Sequence, residues 1–555
     1  MDTIKAGSTN PLSPKRTEEL FFKETITCSP NAGPVNQKKN SQKKDSYEQS
    51  SPFSIEISKL NQDFKSFIHF LKTEPVKLLK DLKSYPAVKR KILIKPETSN
   101  LQTEIAQESA VCKTFLQKHF LNTGAIIASF DKAYYFDWGR DASMVMNALL
   151  DLNPNAPPGP KTTQEIESQL NYDQLFRQQA LQGKFPGGLG EARTLVSPQN
   201  GSLWAGPWGT PQFDAPALKV YTFSKFGLDL LSDGNEQDKQ RVQNQIYPGV
   251  QQYLNYLIQN QGKPCFDPWE EINAQQHFWT EMSEAVAFHK GAELANALGD
   301  TQNSALYQNW SKKIAADIRQ VFLQDTKDRI IFPDYEVLNP GSAGKESILD
   351  SSVLGGLLLG KSVGYPIKLD NPYALHTFSS ILTAFKNLYP INTNSNAIAI
   401  GRYPDDEYGG PGVEGPGAGN PWIICTLWEG QYDYELASQY LKEGTINLQN
   451  GRKADLENIL GFALPDSKQI SENDPIFHTV INTLANNGDA VLQWTLNHTH
   501  NGGMMSEQID KNTGKPTSVQ DLAWSYAEFL EAVHSRNELE ALLRAHSSTV
   551  RAAGS

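Results

Sequence analysis

The segment Tyr134-Tyr-Phe-Asp-Trp138-Gly-Arg140-Asp141 runs directly into Ala142-Ser-Met144-Val145-Met-Asn-Ala148-Leu149, and this junction of a loop with a helix sets the pattern of the chain. The first part mixes aromatic, charged and glycine residues, a composition typical of loops that carry function. In the second part, apolar residues recur at helical spacing from Met144 to Leu149. The junction therefore predicts an amphipathic helix preceded by a functional loop.

The same arrangement returns along the chain. Asp214 precedes a helical pattern that it is expected to cap, with Pro216 in the first turn. Further helical patterns cover Thr280–Leu298 and Ala305–Leu323, and a late one starts at Asp521. Strand-like alternation is sparse. We therefore expect a mostly α-helical body with about a dozen helices and with the chemistry on the loops that precede them.

The two ends of the chain differ from its body. Residues 1–52 are rich in Ser, Asn, Lys and Pro and predict a disordered basic tail. Residues 53–102 contain apolar residues at helical spacing and predict an amphipathic helical extension. The catalytic body is expected to cover 103–545, followed by a flexible tail at 546–555.

Charge is shared unevenly between these parts. Residues 1–100 carry 18 Lys and Arg against 11 Asp and Glu, a net charge of +7, so the overall charge of −11 leaves −18 for the remaining residues. An acidic body argues against nucleic-acid binding, which requires positive charge, and is compatible with a neutral, hydroxyl-rich ligand. We expect the protein to be a monomer.

The hydropathy of the chain bears on its location. No uninterrupted apolar stretch approaches the length of a membrane span, and the start at Met1 lacks the apolar core of a secretory signal peptide. The expected location is therefore the cytoplasm, or outside the cell after export by a leaderless route.

Two acidic clusters stand among aromatic or polar residues, at Asp267-Pro-Trp269-Glu270-Glu271 and at Ser506-Glu507-Gln508. A carboxyl next to an indole loses water, which raises its pKa, whereas a carboxylate in a polar loop stays ionised. A fold that brings the two together has a proton donor and a proton acceptor, the pair that glycoside cleavage needs.

Metal and redox chemistry have little support. The four cysteines are scattered without a CxxC pair, and His498 and His500 form an isolated close histidine pair. No metal ion and no organic cofactor are expected.

Six segments of aromatic, glycine and charged residues follow one another. They are Tyr134–Asp141; Gly187–Arg193; Trp208–Leu218; Asp267–Glu271 with His277–Thr280; Gly401–Asp406 leading to Gly419–Trp422; and Ser506–Gln508 with Asp521–Tyr526.

In content and order these segments resemble the eukaryotic-type glucoamylases of glycoside hydrolase family 15, over about residues 103–545. The resemblance implies an all-α fold, an (α/α)6 barrel of six helical hairpins with a pocket at one end. It also implies an inverting, exo-acting hydrolase that releases β-glucose from the non-reducing ends of α-1,4-glucans such as maltooligosaccharides, starch and glycogen.

The resemblance also implies roles for individual residues. Glu270 corresponds to the general acid, Glu507 to the general base, and Asp267 to a residue close to the catalytic centre. Sugar rings present apolar faces to aromatic planes and hydroxyls to charged groups. The implied substrate-binding residues are Tyr134, Trp138, Arg140, Asp141, Trp208, Asp214, Trp269, Glu271, Arg402, Asp406 and Trp524.

Departures from the family leave specificity open. The chain has Thr210 where the family usually has Arg, Pro268 where it has Leu, and Asp405 where it has Glu. A glycine-rich segment, Gly409–Gly419, is expected to form a mobile lid near the pocket. Alternatives are hydrolysis of α-1,6-glucans or trehalose on the same barrel, or a glycan-binding protein without catalysis, against which the retained acid and base argue.

Overall fold

The computed structural model describes residues 98–152, 158–232, 234–323, 329–334 and 347–553. The predicted basic tail at 1–52 and nearly all of the predicted extension at 53–102 lie outside these residues. Fourteen α-helices account for most of the described chain. In chain order they are α1 Thr98–His119, α2 Gly139–Asp151, α3 Pro160–Leu181, α4 Asp214–Leu231, α5 Glu236–Arg241, α6 Tyr247–Asn260, α7 Phe278–Ala297, α8 Thr301–Phe322, α9 Ser352–Leu359, α10 Pro372–Leu388, α11 Ile423–Glu443, α12 Arg452–Leu460, α13 Pro475–His498 and α14 Ala523–Ala553.

Six of these helices close a ring. The order of contacts is α2, α4, α7, α9, α11, α14 and back to α2. Six others, α1, α3, α6, α8, α10 and α13, alternate with them along the chain, so that each ring helix follows an outer helix. The predicted all-α, (α/α)6 barrel is thereby confirmed.

The burial of the ring helices follows from their position between the barrel axis and the outer layer. In α11 every residue from Ile423 to Leu441 is buried, which is expected of a helix covered on all sides. Helix α9 is short and contains Gly355, where an added Cβ would lie 2.7 Å from the rings of Trp279 and Trp428. Glycine at this position lets α9 approach the two indoles.

The strands are short and lie in the loops. β1 (Asp137–Trp138), β2 (Arg193–Gln199) and β3 (Ser202–Trp204) form one antiparallel sheet in that order. Three antiparallel pairs complete the strands of the described residues: β4 Cys265–Phe266 with β5 Asn273–Ala274, β6 Thr445–Asn447 with β7 Gln469–Ser471, and β8 Gln508–Ile509 with β9 Pro516–Thr517. In the last pair Gln508 lies opposite Thr517.

The six sequence segments all lie in loops before ring helices or at the first turns of those helices. Because consecutive ring helices are separated by an outer helix that returns the chain, these loops meet at one end of the barrel. In the described ranges, no helix combines the length and the apolar character needed to cross a lipid bilayer.

Candidate active site

Glu270 lies at the tip of the hairpin formed by β4 and β5. Asp267 stabilises this tip, because its Oδ1 accepts the backbone N–H of Glu271 at 2.7 Å and of Ile272 at 3.0 Å. The backbone of Glu270 has φ of +67°, a left-handed conformation that costs about 1–3 kcal/mol for a residue with a side chain. Asp267, predicted to lie near the catalytic centre, thus holds the loop that aims Glu270.

Four side chains donate hydrogen bonds to the Glu270 carboxylate. Trp138 Nε1 and Gln212 Nε2 lie 3.0 and 2.9 Å from Oε1, Arg140 Nη2 lies 3.3 Å from it, and Trp208 Nε1 donates to Oε2. The indoles therefore contact Glu270 through their N–H groups, and 18% of the side chain remains exposed. Glu270 is therefore partly accessible, and four N–H donors stabilise the negative charge of its carboxylate.

The side chain of Arg140 is held in place by the buried carboxylate of Asp214. Its Nη1 donates to Asp214 Oδ2 at 2.6 Å, and Trp279 Nε1 donates to the same oxygen at 2.8 Å. The expectation that Asp214 caps its helix is wrong, because Phe213 occupies the N-cap position and the buried guanidinium needs the carboxylate as its counter-charge. Asp214 was also predicted to bind substrate, but it is fully buried under Arg140.

Asp141, the neighbour of Arg140, is a buried carboxyl at the start of α2. Burial raises its pKa to about 7, against the opposing effect of Arg140, and both Glu270 and Glu507 raise it further. Asp141 therefore lies close enough to both predicted catalytic carboxylates for their charges to affect its ionisation.

Glu507 lies just before β8 and is only 2% exposed. Its Oε2 accepts hydrogen bonds from Ser518 Oγ and from Gln508 Nε2 at 3.2 Å. Burial raises the pKa of Glu507 to about 7, although Ser518 and Tyr134 lower it. Glu507 therefore lies in a more buried place than the polar loop that was expected, and this burial disfavours the charged form of its carboxyl group.

The antiparallel pair β8–β9 brings Ser518 to Glu507. The Glu507 N–H donates to the carbonyl of Val519 at 2.8 Å, and Ser518 has φ of +61°. On the far side of Ser518 lies Gly410, where a Cβ would come within 2.6 Å of the hydroxyl oxygen. The glycine-rich segment therefore packs against the residue that contacts Glu507.

Tyr134 lies near both Glu270 and Glu507. Burial raises the pKa of the Tyr134 hydroxyl well above its usual value, and the charges of Glu507 and Glu270 raise it further. The hydroxyl lies 2.8 Å from that of Tyr408. Two carboxylates more than two hundred residues apart in sequence thus act on the same side chain.

A second charged cluster lies beside Glu270. Arg402 donates to Asp406 through Nε at 2.9 Å and Nη2 at 2.6 Å, and to Glu271 Oε1 through Nη2 at 2.8 Å. Tyr403 donates to the other oxygen of Glu271 at 2.6 Å. Burial disfavours the charged form of Arg402, but Asp406 and Glu271 outweigh it and raise its pKa. The cluster holds Glu271 firmly while leaving about a third of its side chain exposed.

The predicted aromatic walls divide into two groups. Trp208 is 39% exposed, and the Arg193 guanidinium lies 3.7 Å from its ring centroid. Trp138, Trp269 and Trp524 are buried and donate to Glu270, Asp350 and Glu528, respectively. Trp208 therefore forms the open wall, whereas the others support the pocket from behind.

The structure brings to the site four residues that were not predicted to belong to it. Gln212 and Arg193 lie within the segments Trp208–Leu218 and Gly187–Arg193, so their position in the sequence could have indicated that they belong to the site. Ser518 and Asp350 stood in no segment, since only the folded loops bring them to Glu507 and Trp269. In the described ranges, no group of three His, Cys, Asp or Glu side chains is arranged to hold a metal ion.

Backbone hydrogen bonds hold the glycine-rich segment Gly409–Gly419 in a compact loop. Gly409 donates to the carbonyl of Val413 at 2.8 Å, and Gly419 donates to that of Asp406 at 3.0 Å. Lys511 Nζ donates to the carbonyl of Gly419 at 2.8 Å. The last two bonds attach the Gly419 end of the segment both to Asp406 of the Arg402 cluster and to the loop after β8.

The sequence is similar to known proteins over most of this barrel. Residues 110–534 match the family described as Glycosyl hydrolases family 15. A glucoamylase of Blastobotrys adeninivorans is 29% identical over 466 residues, which cover 80% of this chain and 72% of that protein. The glucoamylase GLA1 of Saccharomycopsis fibuligera is 29% identical over 507 residues, covering 83% of this chain and 95% of the relative.

A solved structure agrees with these similarities. The glucoamylase from Saccharomycopsis fibuligera, solved at atomic resolution, superposes with a TM-score of 0.68 at 26% identity. The match covers 83% of this chain and 99% of that one.

Proposed function

Because the chain belongs to glycosyl hydrolase family 15, we propose that Glu270 and Glu507 are the general acid and general base of its reaction. The chain is an exo-acting glycoside hydrolase that releases glucose, with glucan 1,4-α-glucosidase activity. The observation that carries the assignment of the two residues is their proximity to the same side chains. The charges of both carboxylates raise the pKa of Tyr134 and that of Asp141.

Glu270 suits the role of the acid. A general acid gives its proton to the glycosidic oxygen and is left as a carboxylate while an oxocarbenium-like state develops. The N–H groups of Trp138, Gln212 and Trp208 already point at its oxygens. Such preorganised donors stabilise the charge that forms as the proton leaves.

Glu507 suits the role of the base. Its pKa of about 7 is near the range in which a general base works efficiently. Ser518 and Gln508 fix one oxygen of the carboxylate, which limits the orientations from which it can accept a proton. In the proposed single displacement, Glu507 activates a water that attacks the sugar from the face opposite the leaving group, giving β-glucose.

The remaining polar residues are proposed to hold the terminal glucose. Arg140, Asp141, Arg402 and Glu271 offer charged groups that pair with hydroxyls, and Trp208 offers an exposed aromatic face. We assign Asp214 and Asp406 a positioning role, because each is engaged by the guanidinium that it holds.

The domain organisation follows the same proposal. Residues 103–545 are proposed to form the catalytic domain, acting as a monomer on a neutral α-glucan and not on nucleic acid. The acidic charge of this part of the chain supports an uncharged substrate.

The test uses the stereochemistry of the product and compares three substrates. Proton NMR of the first product from maltotriose should show β-glucose before mutarotation, and initial α-glucose would exclude the single displacement. Trehalose and isomaltose in the same assay test the alternative linkages.

Separating the two roles requires a substrate with a good leaving group. Glu270→Gln should lose several orders of magnitude in kcat on maltotriose and far less on α-glucosyl fluoride, whose departing fluoride needs little protonation. Glu507→Gln should lose about 10²–10⁴-fold on both substrates, because both need the activated water. Equal losses of Glu270→Gln on both substrates would contradict its role as the acid.

A further inference from the structure

A second cavity lies on the barrel axis, behind the catalytic pocket. It has a volume of about 320 Å3 and receives residues from all six ring helices. Its lining residues lie mostly beyond the first turns of those helices, for example Asn147 on α2, Glu435 on α11 and Ser535 on α14. The catalytic residues occupy the loops before the same helices, so the two spaces are arranged in succession along the axis.

Tryptophans separate the two spaces. The ring centroids of Trp279, Trp428 and Trp524 lie 5.7–6.0 Å apart, and the first two line the rear cavity. Trp279 donates to Asp214, which holds Arg140 on the catalytic side. A ligand in the rear cavity would therefore contact the aromatic layer that supports the catalytic pocket.

The rear cavity carries an excess of acidic groups. Five carboxylates line it, from Asp151, Glu435, Glu528, Glu531 and Glu538. Lys361 pairs with Glu435 at 2.7 Å and with Glu538, and Lys225 pairs with Asp151 at 2.5 Å. Two lysines thus account for three of the five carboxylates.

The other two carboxyl groups, Glu528 and Glu531, accept hydrogen bonds from neutral donors. Burial raises the pKa of Glu528 to about 7 and that of Glu531 well above its usual value, although the charges of Lys225 and Lys361 lower the latter. Glu528 accepts from Gln431 Nε2 at 2.5 Å and from Trp524 Nε1 at 2.9 Å, and Glu531 accepts from Asn147 Nδ2 at 2.8 Å. Over the described ranges, neither has a Lys, Arg or His nitrogen within salt-bridge distance. They lie three residues apart on α14, on the same side of the helix, and both line the cavity.

The hydroxyl of Ser535 is a further polar group that a ligand in the cavity could contact. Its side chain lines the cavity one turn after Glu531, and only 6% of the residue is exposed. Within the part of the chain that the structure describes, its hydroxyl makes no hydrogen bond, not even to the preceding turn of α14. Because Ser535 lines the cavity, its hydroxyl is available to a ligand there.

We propose that the rear cavity binds a small organic cation, an aliphatic amine or diamine, through Glu528, Glu531 and Ser535. The volume falls at the lower end of the range for small-molecule pockets, about 300–1,000 Å3. A metal ion is a poorer fit, because the described residues offer no group of three ligating side chains close enough to coordinate one. Tyr221 and the tryptophans add aromatic surface, which attracts ammonium groups.

The test compares a diamine with its uncharged counterpart in the full-length protein. Isothermal titration calorimetry with 1,4-diaminobutane should show saturable binding at one site, whereas butane-1,4-diol should give no saturable heat. Tryptophan fluorescence should change with the same midpoint, since the cavity is lined by Trp279 and Trp428. Equal binding of the diol, or no binding of the diamine at millimolar concentration, would overturn the proposal.

Four variants locate the site. Glu531→Gln keeps the shape of the side chain and should weaken binding of the diamine at least tenfold, and Ser535→Leu should abolish it by filling the cavity. Glu293→Gln, which removes a carboxylate outside the cavity, should bind as the wild type does. Asp141→Asn tests the catalytic pocket: if it removes binding while Glu531→Gln and Ser535→Leu do not, the diamine occupies the catalytic pocket and the proposal is wrong.

Discussion

Arg140 Nη1 lies 2.6 Å from Asp214 Oδ2, and this buried ion pair joins the catalytic pocket to the core of the barrel. The guanidinium extends from Asp214 to Gln212 and Glu270, so one side chain links a core carboxylate to the proposed acid. The position of Arg140 in the pocket therefore depends on a residue that substrate does not reach.

The first prediction concerns this pair. Asp214→Asn should lower kcat/KM on maltotriose by about 10-fold or more, because the guanidinium loses the closer of its two carboxylate partners but keeps a hydrogen-bond acceptor there. Asp214→Ala should in addition destabilise the fold by about 3–5 kcal/mol, the usual effect of removing one partner of a buried ion pair. Steady-state kinetics and chemical denaturation measure the two effects.

The control for this prediction is Asp317→Asn, an exposed carboxylate on α8 that pairs with Lys313. It should change neither quantity. Wild-type kinetics in Asp214→Asn would show that Arg140 keeps its place without the charge.

The second prediction concerns Ser518 and the pH profile. Burial raises the pKa of Glu507, and the Ser518 hydroxyl lowers it. Ser518→Ala removes that donor, so the pKa of Glu507 should rise and the base should be protonated over a wider acidic range. Since the base must be deprotonated to act, the acidic limb of kcat/KM should move to higher pH.

Ser311→Ala serves as the matched control, because Ser311 is also buried and donates to a backbone carbonyl, but far from the site. Its pH profile should coincide with that of the wild type. An acidic limb that moves to lower pH in Ser518→Ala would contradict the assignment of Glu507 as the base.

The third prediction concerns stability. Burial raises the pKa of Glu281 to about 7 and that of Glu284 well above its usual value, and Glu281 raises the latter further. A carboxyl whose pKa is raised on folding stabilises the protein below its unfolded pKa, and that contribution is lost as pH rises through the folded pKa. The Tm of the wild type should therefore fall between pH 5 and pH 8.

Glu284→Gln, a neutral mimic of the protonated side chain, should have a smaller slope and a higher Tm than the wild type at pH 8, with little difference at pH 5. Glu443→Gln, which alters a surface pair with Lys368, should leave the slope unchanged. An increase in the Tm of the wild type from pH 5 to pH 8 would contradict the prediction.

Local patterns in the sequence predicted a mostly helical body with functional loops before the helices, whereas the barrel itself was implied by the resemblance to glycoside hydrolase family 15. The composition of the loops that contain Arg140, Glu270 and Arg402 indicated function, and the resemblance implied that they meet in a pocket at one end of the barrel. The helices predicted at 280–298 and 305–323 are observed as Phe278–Ala297 and Thr301–Phe322. Periodicity sufficed here because each helix has a buried face.

Features that depend on contacts between distant segments could not be predicted in this way. The strands that bring Ser518 to Glu507 are two residues long, too short for a recognisable alternation. The burial of Glu507, which raises its pKa, comes from neighbouring loops that its own segment does not reveal. Asp214 followed the pattern of a cap, but the buried charge of Arg140, 74 residues earlier, determined its role.

The last prediction concerns residues 1–96. The described barrel begins with α1 at Thr98, which packs against α14, and every proposed site residue lies after residue 130. A chain that begins at Glu97 should therefore keep kcat/KM on maltotriose within a few-fold of the full-length value. Circular dichroism and the Tm establish whether the shortened protein is folded, so that a loss of stability can be distinguished from a loss of function. If the shortened protein is folded but inactive, residues 1–96 complete the active site, and the catalytic domain must be extended towards the N-terminus.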